Sequence, residues 1–113
     1  MTADELRKLA EIAGLKLSSV GELLQSGSRY YHGNIKNRQI IPTYEWQPHL
    51  RIEQAMMVAE AFDYYELGKD MSSAAPYYCQ IFTGIGGRLI GQAISMNLPT
   101  AICVAALAAA KEV

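Results

Sequence analysis

An alanine-rich run near the C-terminus constrains this chain more than any other stretch. It covers residues 97–110 and reads NLPTAICVAALAAA. Asn97 can accept a hydrogen bond from the first turn of a helix, and Pro99 is tolerated only in that turn because it has no N–H. Alanine has the highest helix propensity, so the run predicts a helix. Since apolar residues occupy nearly every side, we expect this helix to be buried on more than one face.

Length and charge limit the classes of protein to consider. The chain has 113 residues, which is enough for one domain (residues 1–113) and too few for two. Hydrophobic residues make up 50% of it, so a packed core is expected. The formal net charge is −1, and therefore no overall positive field attracts nucleic acid. We expect no strong nucleic-acid binding.

Targeting signals and cysteines indicate the compartment. The chain starts with a charged amphipathic segment and not with a secretory signal. The apolar run of about 13 residues is shorter than the roughly 20 that a membrane-spanning helix needs. Cys79 and Cys103 lie in apolar segments without metal-type spacing, which favours free buried thiols in a reducing compartment. These features predict a cytoplasmic protein without a membrane association, metal or other cofactor.

Two further helices are predicted before the alanine-rich one. Thr2 and Glu5 have the spacing of a capping box, and apolar residues then repeat at helical intervals until Gly14. The helical pattern returns from Pro48 to Phe62. Its predicted apolar stripe consists of Ile52, Ala55, Met56, Ala59 and Phe62.

Three predicted strands separate the second helix from the last. They are Tyr64–Leu67, Tyr77–Thr83 and Leu89–Met96, with a turn at residues 84–87. A meander of this kind between helices is typical of an α+β layer architecture. We expect an antiparallel sheet of about three or four strands, packed by the N-terminal, middle and C-terminal helices.

Residues 26–48 form the irregular part of the chain, for which we predict a loop or hairpin insertion. Gly33-Asn34 is the candidate turn. Just before it, Ser19 and Glu22 repeat the capping-box spacing and predict a short helical turn that ends at Gly27. A long irregular segment in so small a domain is often functional.

The segment 28–38 is the candidate binding site. It combines basic, aromatic and amide side chains and contains no acidic residue. Arginine beside tyrosine suits a phosphate with a stacked base, and the same residues are enriched at protein–protein interfaces. A solvated hairpin is the third interpretation. The candidate residues are Arg29, Tyr30, Tyr31, His32, Asn34, Lys36 and Arg38.

No other pattern points to catalysis. The glycines of residues 84–91 fit neither phosphate-loop spacing, and they favour a hairpin turn. His32 and His49 have no metal-type partners in the sequence, although a spatial pairing of a histidine with a cysteine stays open. Trp46 is expected to be buried ahead of the middle helix. We therefore expect no enzymatic activity.

The second half of the chain resembles a family of small bacteriophage proteins known as the phage ABA-sandwich domain. The resemblance is carried by Pro42-Thr43-Tyr44, by the alanine- and valine-containing helix around Val58, and by the segment LPTAICVAAL at residues 98–107. It covers residues 42–112 and, more weakly, the first helix. It implies an α-β-α sandwich of phage or prophage origin, and it carries no established activity.

Two function hypotheses follow. The first is a non-enzymatic phage accessory protein that binds a host protein in the cytoplasm, with inhibition of a host defence system as its biological role. The second is a protein that sequesters an anionic nucleotide through segment 28–38. A small hydrolase, which would need His32 or His49 beside a carboxylate, has no support in the spacing. The apolar character of residues 101–110 and the tyrosine-rich strands also predict a homo-oligomer.

Overall fold

Two of the α-helices in the computed structural model begin at the capping residues that the sequence indicates. The structure describes residues 1–33, 39–84 and 87–112. Helix α1 (Ala3–Ile12) follows Thr2, whose side chain and backbone exchange hydrogen bonds with Glu5. The last helix (Leu98–Lys111, numbered α3 below) follows Asn97, whose side chain accepts a hydrogen bond of 2.8 Å from the Thr100 N–H. Both capping predictions are confirmed.

Helix α2 (Ile52–Ala59) is shorter than the predicted Pro48–Phe62 segment and is rotated relative to the predicted stripe. Ala55 and Ala59 are fully buried as expected, but Ile52 is 43% exposed. Gln54, which is not part of the predicted stripe, is buried instead. The prediction that Ile52 belongs to the buried stripe was therefore wrong.

Hydrogen bonds of Gln54 explain this rotation. Its side-chain oxygen accepts from the Gln47 N–H at 2.7 Å, and its side-chain nitrogen donates to the Glu45 carbonyl at 2.9 Å. The amide thereby satisfies backbone groups of the segment that leads into α2, which is a reason to bury a polar side chain. Periodicity of apolar residues cannot reveal such a contact.

The larger sheet is the predicted meander. It consists of β4 (Tyr64–Lys69), β5 (Tyr77–Phe82) and β6 (Leu89–Ser95), antiparallel and in the order β4-β5-β6. Strand β4 continues two residues beyond the predicted end at Leu67, because Gly68 and Lys69 still pair with β5. A register irregularity between Ile81 and Phe82 marks the pairing of β5 with β6.

A second, smaller sheet forms within the segment that looked irregular. Its strands are β1 (Lys16–Leu17), β2 (Tyr30–His32) and β3 (Ile40–Pro42), and a 3-10 helix (Thr43–Glu45) follows. Strands β2 and β3 pair antiparallel, and β1, which was not predicted, pairs with β2. Asn34, half of the predicted Gly33-Asn34 turn, lies outside the described residues.

The prediction of a helical turn at residues 19–27 was wrong. The segment forms backbone turns and no helix, although Ser19 does donate a hydrogen bond of 2.8 Å to the Glu22 carboxylate. Gly27 has a φ of 84°, a left-handed conformation that ends the turn. The capping pair thus stabilises a turn that no helix follows.

Helix α3 lies between the larger sheet and the other helices. It packs on β5 and β6 on one side and on α1 and α2 on the other. This burial on more than one face confirms the prediction from its alanine-rich sequence, and the architecture confirms the α+β class. Fully buried α3 side chains are Ala101, Ile102, Cys103, Ala105, Ala106 and Ala109. Within the described residues, no helix combines the length and apolar character needed to cross a bilayer.

Candidate functional site

The two faces of the β4-β5-β6 sheet differ. On β5, Cys79 and Ile81 point towards α3 and are fully buried, so the alternate residues point to the opposite side, here named the outer face. One row across the outer face consists of Glu66, Gln80 and Gln92, and the next row of Gly68, Tyr78 and Ile94. Ile94 is 70% exposed there, which shows that the outer face is accessible.

An open depression of about 760 Å³ lies on the outer face. Strands β5 and β6 form its floor, and the loop that joins β4 to β5 forms one wall. Its volume is in the range of sites that receive a small molecule or part of a partner protein. The lining residues are Asp70, Ser73, Ala75, Pro76, Tyr78, Cys79, Gln80, Gln92, Ala93 and Ile94.

The wall of the depression is held by its own hydrogen bonds. The Asp70 carboxylate accepts from the Ser72 N–H at 3.0 Å and from the Ser72 hydroxyl at 2.7 Å. These bonds lower the pKa of Asp70 below its usual value. The Asp70 N–H also donates to the Pro76 carbonyl at 2.6 Å, which closes the loop. The wall is therefore preorganised, and that reduces the entropy lost on binding.

Glycine at position 68 gives Tyr78 its position on the floor. A Cβ atom at Gly68 would overlap the phenol ring of Tyr78, which lies directly over this residue. The flat ring thus packs on the backbone of β4 and remains partly exposed to the depression. Tyrosine placed in this way offers an apolar face and a hydrogen-bonding tip.

The depression is nearly uncharged. Among its lining residues within the described ranges, Asp70 carries the one formal charge, and none is Lys or Arg. Two side-chain amides and one phenol supply hydrogen bonds, and Ile94 and Pro76 supply apolar contact. This chemistry suits a neutral protein surface and disfavours an anionic ligand, whose charge would find no partner.

The cysteine thiols contribute no nucleophile. Burial raises the pKa of Cys79 to about 11 and that of Cys103 to about 12, so both thiols are protonated at neutral pH. Both cysteines are free and buried, as the sequence predicted. No group of three potential metal ligands occurs in the described part of the chain.

Two of the residues predicted as a binding site on segment 28–38 have contacts inside the protein. The Arg29 guanidinium donates to the backbone carbonyl of Ser18 through two nitrogens, one of them at 3.0 Å. Tyr31 is 8% exposed and packs against Trp46, with the ring centroids 6.1 Å apart. The described contact of Arg29 therefore lies within the small-sheet region, next to β1, and that of Tyr31 connects β2 to Trp46.

Tyr30 and His32 remain partly exposed on the same strand. Their ring centroids are 6.2 Å apart, and the Tyr30 hydroxyl lies 3.4 Å from the Glu22 carboxylate. The structure thus adds an acidic neighbour that the sequence segment lacked. Asn34, Lys36 and Arg38 lie outside the described residues, so the nucleotide site on segment 28–38 stays a prediction.

Trp46 and His49 both lie in the segment between the 3-10 helix and α2. Trp46 is 2% exposed and donates from Nε1 to the Leu6 carbonyl at 2.8 Å, which confirms the expected burial. The Nδ1 atom of His49 is buried and has no hydrogen-bond partner among the residues that the structure describes, and burial lowers the pKa of His49. A neutral imidazole is the form that such an environment favours.

The depression was missed from the sequence, although one signal for it was present. The alternation along Tyr77–Thr83 already separated Tyr78 and Gln80 from Cys79 and Ile81. Uncharged polar residues on the face opposite the core were the available indication of an exposed binding surface. The contribution of the loop wall depends on hydrogen bonds that the sequence does not specify.

Comparison with known proteins supports a relationship to phage proteins. The chain is similar to a phage protein from Bacillus cereus ATCC 14579, whose crystal structure was determined at 2.0 Å. Sequence identity is 25%, the TM-score is 0.58, and the match covers 98% of this chain and 89% of that one. No family model and no curated protein matches the chain. The resemblance to the ABA-sandwich family in particular stays a prediction.

Proposed function

We propose that this protein is a non-enzymatic phage accessory protein that binds a host protein in the host cytoplasm through the outer face of the β4-β5-β6 sheet. The observation that carries the proposal is the preorganised, nearly uncharged depression on that face. Inhibition of a host defence system is the biological role we assign to this binding. The likeness to a Bacillus cereus phage protein supports the phage part of the proposal.

The composition of the outer face supports a protein partner over a charged small molecule. Interface cores are depleted in Lys, Glu and Asp and enriched in tyrosine. Tyr78, Gln80, Gln92 and Ile94 form such a surface, with donors and acceptors that can pair with backbone amides. The exposed Ile94 would lose its contact with water on binding, which provides a hydrophobic contribution.

The absence of catalysis is part of the proposal. A nucleophile of the Ser or Cys type needs an adjacent base or a lowered pKa. The Ser73 hydroxyl at the wall is engaged with the backbone of Ala75, and burial raises the pKa of Cys79. Binding is therefore the activity that the chemistry of the depression supports best.

Capture from host lysate with a variant of Gln80 tests the proposal. Gln80→Lys places a long charged side chain at the centre of the floor, and Glu66 on the neighbouring strand can pair with it, so the fold is expected to persist. We expect the wild-type protein to capture a saturable partner and the variant to lose about tenfold or more in affinity, since burying a charged side chain in an interface core costs desolvation free energy even when Glu66 pairs with it.

Gln25→Lys is the matched control, because Gln25 is exposed on a turn away from the sheet. It adds the same charge and should retain capture. Equal capture by the Gln80 variant and wild type would exclude the outer face as the binding surface. Failure of the wild-type protein to capture any saturable host partner would overturn the proposed function itself.

A further inference from the structure

The two edges of the β4-β5-β6 sheet are protected unequally. Strand β4 carries Glu66 and Lys69, and Asp63 and Asp70 flank it. Natural sheets use charged side chains of this kind to prevent edge-to-edge association. Strand β6 reads LIGQAIS and contains neither a charge nor a proline. The β6 edge therefore has no charge or proline against edge-to-edge pairing, and the register irregularity, which leaves Ile90 without a partner on β5, lies near its N-terminal end.

The β6 edge is also long and exposed. It spans seven residues, and within residues 1–33, 39–84 and 87–112 it pairs with β5 on one side only. Leu89 is 38% exposed and Ile94 is 70% exposed, and Gln92 between them is exposed as well. A long, uncharged and partly apolar edge is a template for another strand.

We propose that two copies of this protein associate by antiparallel pairing of their β6 strands. A two-fold axis beside Gln92, the central residue of Leu89–Ser95, would place this side chain opposite its symmetry mate. Gly91 of each copy then lies opposite Ala93 of the other, and the two Gln92 side chains meet at the axis on the outer face. The result is a continuous six-stranded sheet with two outer-face depressions.

We choose a second copy of this protein as the partner of the β6 edge because that edge is complementary to itself. A two-fold interface brings equal residues together at its axis, so a charge there would face the same charge. Gln92 avoids this conflict, because an amide both donates and accepts and can pair with an identical amide. The pairing also covers part of the exposed Ile94 side chain with the β6 backbone of the second copy.

This proposal rests on a different observation from the one that first suggested self-association. The apolar character of α3 is accounted for within the chain, since six of its side chains are fully buried. The β6 edge is independent of α3 packing, and although Gln92 and Ile94 also line the outer-face depression, pairing of two β6 strands requires no host protein. Dimerisation can therefore be tested on the purified protein without a partner.

Opposite charges at Gln92 provide the test. Wild type is expected to sediment as a dimer at micromolar concentration. Gln92→Lys and Gln92→Glu should each weaken dimerisation by about fivefold or more, because like charges directly opposite are unfavourable. An equimolar mixture of the two variants should restore a dimer, since Lys then lies opposite Glu. A structural defect in either variant would not be rescued by mixing.

Gln80→Lys is the matched control for this experiment. Gln80 pairs with Gln92 but lies one strand inside the edge, so its charge should leave the dimer unchanged. A monomeric wild-type protein, or dimerisation that is unchanged in both Gln92 variants, would overturn the β6 interface. Loss of the dimer in Gln80→Lys but not in the Gln92 variants would place the interface on the outer face. That result would also overturn the proposed β6 interface. None of these outcomes depends on capture of a host protein.

Discussion

The two sheets of this protein are stabilised in different ways. The β4-β5-β6 sheet has strands of six or seven residues and gains its support from α3, which packs along one face. The small β1-β2-β3 sheet has strands of two or three residues and depends on hydrogen bonds from individual side chains. The comparison shows that a sheet supported by a helix on one face can leave its opposite face accessible to solvent, as the exposed Ile94 indicates.

The small sheet shows the opposite arrangement. Ser18 is 2% exposed, and its hydroxyl donates to the Glu22 carbonyl at 3.0 Å while it accepts from the Tyr30 N–H at 3.1 Å. Arg29 donates to the carbonyl of the same serine. Strands of this length are marginal on their own, so these polar groups are needed for the fold. Their chemistry resembles that of a binding site, and these hydrogen bonds lie within the protein.

The largest expected effect concerns the packing of α3 on the large sheet. Gly91 on β6 faces α3 so closely that an added Cβ would overlap the Ala105 carbonyl and approach the Ala109 nitrogen to 2.8 Å. Since the obstacle is helix backbone, it cannot move aside alone. We expect Gly91→Ala to lower the free energy of unfolding by about 2–3 kcal/mol, measured by urea denaturation.

Gly21→Ala is the control for this substitution, because no atom lies within 4 Å of the added methyl group. It should change stability by less than about 1 kcal/mol. If both alanine variants unfolded at the same urea concentration, close helix–sheet packing would not be the main support of the large sheet.

An intermediate effect is expected at Arg29 in the small sheet. Arg29→Ala leaves the carbonyl of the buried Ser18 without its guanidinium partner, which should cost about 1–3 kcal/mol in urea denaturation. Arg51→Ala is the matched control, since Arg51 is exposed and makes no side-chain hydrogen bond at the start of α2. Host-protein capture should be unchanged in both variants.

The same variant separates the structural role of Arg29 from the alternative nucleotide site. If segment 28–38 binds an anionic nucleotide, ligand at 100 times its Kd should stabilise wild type by about 2.7 kcal/mol in a thermal-shift panel. Stabilisation that disappears in Arg29→Ala, with little loss of stability in the ligand-free variant, would reverse our assignment of this residue.

The smallest expected effect is a pH dependence from His49, which lies outside both sheets. Burial, with a contribution from the N-terminal ammonium, lowers the pKa of His49 below 6.5 in the folded protein. The unfolded chain therefore binds more protons as the pH falls from about 7.5 to about 5.5, so stability decreases over this window. His49→Gln should reduce that decrease, as measured by urea denaturation at the two pH values. An unchanged pH dependence would show that another group titrates.

The elements that were predictable from sequence are those whose signals are local. The capping residues Thr2 and Asn97 and the alternation along Tyr77–Thr83 each depend on neighbours within a few positions. Strand β1 was missed because two residues cannot show an alternating pattern. Its pairing depends on β2, more than ten residues away in the chain.

The candidate site was harder to predict for a physical reason. Arg29 and Tyr31 have the same chemistry whether they contact a ligand or a buried carbonyl and a tryptophan ring. Only the tertiary position of Ser18 and Trp46 distinguishes the two roles. The depression on the outer face, in turn, requires a loop wall whose shape is set by Asp70.

The two buried thiols make this protein a convenient subject for chemical labelling. Cys79 and Cys103 lie in the core between β5 and α3, and both are fully shielded from solvent. A maleimide can therefore react with them only after the helix separates from the sheet. The labelling rate reports that opening directly, and a single cysteine introduced on the surface can carry a fluorophore while both native thiols remain unmodified.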